Sequence, residues 1–312
     1  MSGSRAADEI WRLDRGDPDY PPQLCDLDHV DGVDDAPAAL FGCGSTAALA
    51  AAAIDSAVTV VGSRRATPYG LSIAARLGHD LATAGLVVVS GLAYGIDAAA
   101  HRGALEAGGT TIAVLAGGAD VVYPARARSL YRRILDRGAA ISERRPGTLP
   151  ERWAFPTRNR IMAALAKVTV VVEAAQPSGS TVTAGHALKL GRTVAALPGP
   201  VNSAVSRGTI ALIRDGAAVV TGAEDVLDLF YGVGAGASAR VGPPVDPELA
   251  PVLAAVEGGA AGPDAVAAAT GVDGRAVAVA LTRLELLGYL RSGSIGLYSR
   301  TALEPPQSTM AG

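Results

Sequence analysis

Residues 58–97 read VTVVGSRRATPYGLSIAARLGHDLATAGLVVVSGLAYGID. Val58 to Val61 and Leu86 to Val89 are short apolar runs rich in β-branched residues without polar alternation, the pattern of strands covered on both faces in a parallel sheet. Between them, Pro68 to Thr83 predicts a helix, because Thr67 can cap it and Pro68 suits its first turn. The alternation continues outward. Thr110 to Leu115, Val168 to Val172, Thr193 to Leu197 and Ala217 to Val220 read as further buried strands. Ile96 to Ala107, Arg126 to Asp136, Asn159 to Ala166, Thr181 to Lys189 and Ser206 to Arg214 read as helices. Strand, helix, strand, repeated, predicts an α/β fold with an extended, Rossmann-like, doubly wound and mostly parallel sheet.

The domain expected from this pattern covers 51–231, after a short N-terminal extension over 1–50. Residues 232–246, rich in Gly, Ala and Pro, have almost nothing large to bury and read as a linker. Beyond it, Pro247 to Glu257, Pro263 to Thr270 and Gly274 to Leu287 form helices, and Tyr289 to Arg300 a hairpin around Ser292-Gly293-Ser294. That order predicts a small C-terminal winged helix over 247–300, followed by a disordered tail over 301–312. Its third helix turns Val277, Ala280, Leu281, Leu284 and Leu287 to one side. Acids balance its arginines, which favours protein contact or regulation over duplex recognition.

With 312 residues, 49% hydrophobic, the chain can fill both cores. The apolar run from Ala36 to Val61 is broken by Gly42, Gly44, Ser45, Thr46 and Asp55, whereas a membrane span needs about 20 consecutive apolar residues. Mixed charge over the first fifteen residues argues against a signal peptide, so a cytoplasmic location without membrane contact is expected. Cys25 and Cys43 make neither a disulfide framework nor a metal set. The net charge of −3 conceals an uneven distribution. Arg126, Arg128, Arg132, Arg133, Arg137, Arg144, Arg145, Arg152, Arg158, Arg160 and Lys167 face only Asp136, Glu143 and Glu151 between Pro124 and Lys167. Such a run is either a solvated surface or an anion-binding one.

In an open parallel sheet, ligands sit beyond the carboxyl ends of the strands. After the first strand comes Gly62-Ser63-Arg64-Arg65, two arginines beside a helix N-terminus whose free N–H groups favour the same anion. The second strand ends in Ser90-Gly91, the third in Gly117-Gly118, and a later helix opens with Ser178-Gly179-Ser180-Thr181. Asp97 reads as a helix cap. His101, like His29, His79 and His186, has no partner signature and reads as structural. No G-x-G-x-x-G follows the first strand, and no phosphate-loop lysine motif or nucleophile elbow occurs. Glu143 and Glu173 are the carboxylates with catalytic promise, and neither stands in a recognisable pair. Neither a cofactor nor a metal is expected, and the equipment points to binding rather than catalysis.

Between about Tyr20 and Tyr231 the chain resembles the DNA-processing protein A (DprA/Smf) family. The resemblance is carried by Gly62-Ser63-Arg64, Ser90 to Asp97 with Ala100-His101, Asp120 to Pro124, Arg158-Asn159-Arg160-Ile161, Ser178 to Ala184 and Pro198-Gly199-Pro200, in that order. Ile210 departs from the asparagine common in relatives. The resemblance implies an extended Rossmann fold that binds single-stranded DNA, loads RecA recombinase on it in natural transformation or recombination, and pairs as a homodimer. It places phosphate contacts on Ser63 and Arg64, on Arg126 or Arg128, and around Arg158, Asn159 and Arg160. The implied mechanism is electrostatic, with Tyr69, Tyr94 and Phe155 as minor stacking platforms. Two other classes remain open. A nucleoside-monophosphate phosphoribohydrolase-like enzyme would use the Ser178 to Thr181 loop with Glu143 or Glu173. A winged-helix transcription factor would need Arg275 or Arg283 on duplex DNA.

Overall fold

The computed structural model describes residues 10–30, 35–232, 240–241, 243–292, 296–300 and 303–304. They divide into two compact units, 1–233 and 234–312. The first contains, in order, β1 (Trp11–Asp14), a 3-10 segment (Pro22–His29), β2 (Ala39–Gly44), α1 (Thr46–Ala51), β3 (Ala57–Val61), α2 (Pro68–Thr83), β4 (Val87–Ser90), α3 (Ile96–Glu106) and β5 (Thr111–Val114). It continues with α4 (Arg128–Arg137), β6 (Ala139–Ser142), α5 (Ala154–Leu165), β7 (Val168–Val171), α6 (Gly179–Lys189), β8 (Thr193–Ala196), α7 (Arg207–Arg214), β9 (Ala218–Val219) and α8 (Ala223–Tyr231).

Nine strands form one sheet in the order β1-β2-β6-β5-β4-β3-β7-β8-β9. Every pair from β6 to β9 is parallel, while β1–β2 and β2–β6 are antiparallel. All five residues of β3 are buried, as a strand covered on both faces requires. The winding reverses at β3: β4, β5 and β6 follow on one side, and β7, β8 and β9 on the other. Because the crossovers are right-handed, opposite directions put their helices on opposite faces. Ala74, Leu77 and Leu81 of α2 thus pack with Ala99 and Ala100 of α3 on one face. Ile161, Met162 and Leu165 of α5 share the other core with Ala184 and Ala187 of α6. On the first face, α2 and α3 touch backbone to backbone. A Cβ at Gly103 would lie 1.9 Å from Ala75 O, and one at Gly78 would lie 2.2 Å from Ala100 O, so only glycine fits either crossing point.

Two expectations need correction, and one strand was missed. Residues 1–50 are not a separate extension. From Trp11 onward they supply β1 and β2, and Leu13, Tyr20, Leu24, Leu27 and Leu40 enter the same core as α5. Without them β6 would be an open edge strand. The strand β6 itself was not anticipated, because Ala-Ala-Ile-Ser carries only one β-branched residue. In the second unit, part of the expected linker (Arg240–Val241, β10) pairs in parallel with part of the expected tail. Residues 233–239 and 242 of that linker lie outside the described residues, as do 301–302 and 305–312 of the tail.

The second unit is a winged helix: α9 (Ala250–Glu257), α10 (Pro263–Thr270) and α11 (Gly274–Leu286), then β11 (Leu290–Ser292) and β12 (Tyr298–Arg300) in an antiparallel hairpin, and β13 (Leu303–Glu304), the partner of β10. Residues 293–295, where the sequence reading centred the hairpin, lie outside the described residues. Val252, Leu253, Val256, Val266, Val277, Leu281, Leu284 and Tyr289 form its core. Arg283 on α11 is tied to Asp246 and Glu248 of the same unit, leaving it poorly placed for a duplex. No single helix among the described residues is long and apolar enough to cross a membrane.

Candidate functional site

The switch in winding at β3 and β7 opens a crevice beyond their carboxyl ends. Three loops are knitted together there. Ser63 N donates to Glu173 O (2.7 Å) after β7, and Ile96 N, at the start of α3, donates to Ser63 O (3.2 Å). Gly62 is required by this crowding, since a Cβ there would come within 2.6 Å of Ile96 Cγ1 and 2.9 Å of Glu173 O. Thr67 caps α2 by accepting from Gly70 N (3.1 Å), and it also donates through its own N and Oγ1 to the buried Glu173 carboxylate (2.9 and 2.5 Å). Glu173 is therefore a buried anchor for the β3–α2 turn. Arg64 and Arg65 project outward from the turn so held.

After β4, Ser90 and Gly91 are buried, and the Ser90 hydroxyl donates to Val60 O (2.6 Å). Asp97 does not cap α3: Gly95 holds that position with φ 77°. The carboxylate instead accepts from Gly91 N (3.2 Å) and Ala93 N (3.4 Å), holding the β4–α3 loop, in which Leu92 has a positive φ of 54°. Burial raises the Asp97 pKa, and the nearby Arg158 charge opposes that rise.

Arg158, Asn159 and Arg160 were expected to hold phosphate, but the structure buries them at 4%, 6% and 5% exposure. Arg158 donates to Gly91 O (2.8 Å), Val114 O and Asn159 Oδ1, while Asn159 Nδ2 donates to Gly179 O (3.0 Å). Arg160 forks onto Glu143 (2.9 and 2.8 Å) and ion-pairs with Asp35 (2.7 Å). These side chains, with the hydroxyl of Ser90, build the crevice wall from behind. The reason is that α5 is covered by the sheet on one side and by α6 and the 3-10 segment on the other, so all of it beyond the first turn is inside. At α6, Ser178 caps the helix through Thr181 N (3.3 Å) and touches Ser180 (2.8 Å), while Gly179 stays exposed.

The outward groups form a continuous track. The Arg64 guanidinium lies 4.8 Å from the Phe155 ring centroid, and the Phe155 and Tyr123 ring centroids are 5.6 Å apart, with Tyr123 52% exposed. Arg126 and Arg128, both exposed, follow directly from Tyr123 at the start of α4. Alongside, Arg144 lies 4.7 Å from the ring of Trp153, itself 50% exposed. Tyr69 and Tyr94 are exposed as well, as stacking platforms should be. The sequence reading did not put Tyr123 or Trp153 among the exposed rings at this edge. Their signals were, for Tyr123, its place in the Asp120 to Pro124 motif and, for Trp153, an aromatic residue embedded in an arginine-rich stretch. Among the described residues, no carboxylate pairs with Arg64, Arg65, Arg126 or Arg128, and no group of His, Cys, Asp and Glu is arranged to hold a metal.

His101 lies behind this wall. Thr111 Oγ1 donates to Val88 O (2.6 Å), so at 2.7 Å it must accept from His101 Nδ1–H, leaving Nε2 a buried acceptor without a partner. Burial, with help from the Arg158 and Arg102 charges, pushes the imidazole down to about 3. The unfolded chain takes up this proton near pH 6.5 and the folded protein only near 3, so stability falls as pH drops through that window, by at most about 1.4 kcal/mol per pH unit. Urea midpoints measured between pH 7 and 5 should drop more steeply for the wild type than for His101→Gln. Parallel profiles would place the imidazole in contact with solvent.

A family model described as DNA recombination-mediator protein A matches residues 11–231, and one described as the DprA winged helix domain matches 236–294. A DprA relative from Mycobacterium tuberculosis is 50% identical over 192 residues, 61% of this chain and 49% of that protein. Protein Smf of Escherichia coli is 42% identical over 210 residues, 67% of this chain and 54% of that protein. The chain therefore spans about half the length of these relatives. Among solved structures, DNA processing protein A from Streptococcus pneumoniae superposes with TM-score 0.64 at 38% identity, covering 72% of this chain and 75% of that one. The Helicobacter pylori protein, solved for its single-stranded DNA binding mode, superposes with TM-score 0.61 at 28% identity, covering 70% and 94%.

Proposed function

The chain belongs to the DNA recombination-mediator protein A family, and from that premise we propose that its crevice binds single-stranded DNA without chemically altering it. The observation that carries this is the exposed track Arg64–Phe155–Tyr123 leading to Arg126 and Arg128, at the carboxyl edge of the sheet. Guanidinium forks take the phosphates, and Tyr69, Tyr94, Tyr123 and Trp153 offer faces on which unpaired bases stack. Bases stacked inside a duplex present no free face, so the single strand is preferred over the duplex. In this reading Gly62, Ser63 and Arg65 shape and charge the first turn. Ser90, Gly91, Arg158, Asn159 and Arg160 hold the loops, and Ser178, Gly179, Ser180 and Thr181 close the far side.

The hydrolase reading is disfavoured because both of its carboxylates are engaged: Glu143 with Arg160, and Glu173 with Thr67. The DNA-processing and recombination role of the family supports the further steps we assign, namely loading of RecA recombinase on the bound strand, by a homodimer, in the cytoplasm. Fluorescence anisotropy of a labelled single strand and its matched duplex over a salt series tests the binding reading. A single-strand preference that weakens steeply with salt is expected. Equal binding of the two, or affinity insensitive to salt, would overturn it.

A further inference from the structure

The arginines of α4 do not stop at the crevice. The helix starts beside it, at Arg128, and at 1.5 Å per residue its ten residues run about 15 Å. It ends at Arg137, whose Nη1 donates to Gly108 O (3.4 Å) in the turn before β5, on the opposite edge of the sheet. Leu130, Tyr131, Ile134 and Leu135 form the buried stripe. Arg128 with Arg132, and Arg133 with Arg137, form two exposed rows four residues apart on either side of Ser129 and Asp136. Among the described residues no carboxylate pairs with Arg128, Arg132 or Arg133. A merely solvated face would mix its signs, whereas this one carries four arginines and one acid in a chain of net charge −3.

We propose that the outward face of α4 is a second segment of the DNA path: a single strand leaving the crevice past Arg126 continues along the helix, its phosphates held by Arg132, Arg133 and Arg137. The inference rests on the crevice reading and extends it. The only aromatic ring of α4, Tyr131, is buried with its hydroxyl on Ala119 O (2.7 Å), so this segment reads no bases. It holds the backbone by charge alone, tolerates any sequence and engages only strands longer than the crevice.

Anisotropy titrations with oligothymidylates of about 6 and about 20 nucleotides, bracketing the usual site sizes, test this on the whole chain. The variant is Arg132→Gln/Arg133→Gln/Arg137→Gln, which keeps helix propensity and the apolar stems. For the longer strand, the slope of log K against log salt should fall by about 2, at about 0.7 per single-strand phosphate, with an affinity loss of about a thousandfold at low salt. The short strand should bind the variant and the wild type alike. No change for the longer strand, or the same loss at both lengths, overturns the second segment while leaving the crevice intact. If the wild type binds neither length, the crevice reading fails and this one with it.

Discussion

Replacing Arg64 and Arg126 together by alanine is expected to lower single-strand affinity about a hundredfold at low salt, since each charge-assisted contact contributes about 1.5–3 kcal/mol and a tenfold change is about 1.4 kcal/mol. The salt slope should fall by about 1.4, or 0.7 for each phosphate released. Stability should not move. Both side chains are exposed, neither is paired with an acid among the described residues, and Arg126 lies just ahead of the first turn of α4. Arg64 has a second effect. Its guanidinium lies over Phe155, which in turn meets Tyr123, so its loss frees a ring that helps form a stacking face. Anisotropy and thermal melts on the same preparations decide the matter. Unchanged affinity at an unchanged melting temperature would remove this track from the binding site.

Arg158→Ala should behave in the opposite way. The side chain is 4% exposed, its guanidinium is pushed down to about 10 by burial, and it gives hydrogen bonds to Gly91 O and Val114 O at the ends of two strands. Truncation leaves those carbonyls unpaired and the buried Asp97 carboxylate without its compensating charge, a loss of about 3–5 kcal/mol by analogy with broken buried pairs. For a domain of this size that is a fall of roughly 6–20 °C in melting temperature. Residual binding should be weaker because the β4–α3 loop is no longer held, yet its salt slope should match that of the wild type. A stable variant whose slope drops by about 0.7 would instead make Arg158 a direct phosphate contact.

Arginine alone does not distinguish these two outcomes. Arg126 and Arg158 belong to the same basic stretch, and the charge pattern selects both. The parallel strands were legible because β3, β4, β5, β7 and β8 are buried on both faces, and full burial leaves an apolar, β-branched run in the sequence. The glycines and hydroxyls after β3 and β4 were legible because a loop threaded between strand ends and helix N-termini admits little else. β1, β2 and β6 were not legible. They pair antiparallel or contain mostly alanine, and what makes them strands is a partner far along the chain: Trp11 opposite Gly42, and Phe41 opposite Ser142.

By itself, then, the sequence determined the doubly wound sheet, the winged helix and the basic stretch, because each follows from local periodicity or local composition. Only the tertiary structure decided which arginines face solvent and which are buried. A helix exposes a charge only where nothing covers it. α4 has solvent along its outer side and displays Arg128, Arg132, Arg133 and Arg137. α5 lies between the sheet and a second layer formed by α6 and the 3-10 segment, which buries Arg158 and Arg160 against carbonyls and carboxylates of their own unit, and no feature of the α5 sequence records that second layer.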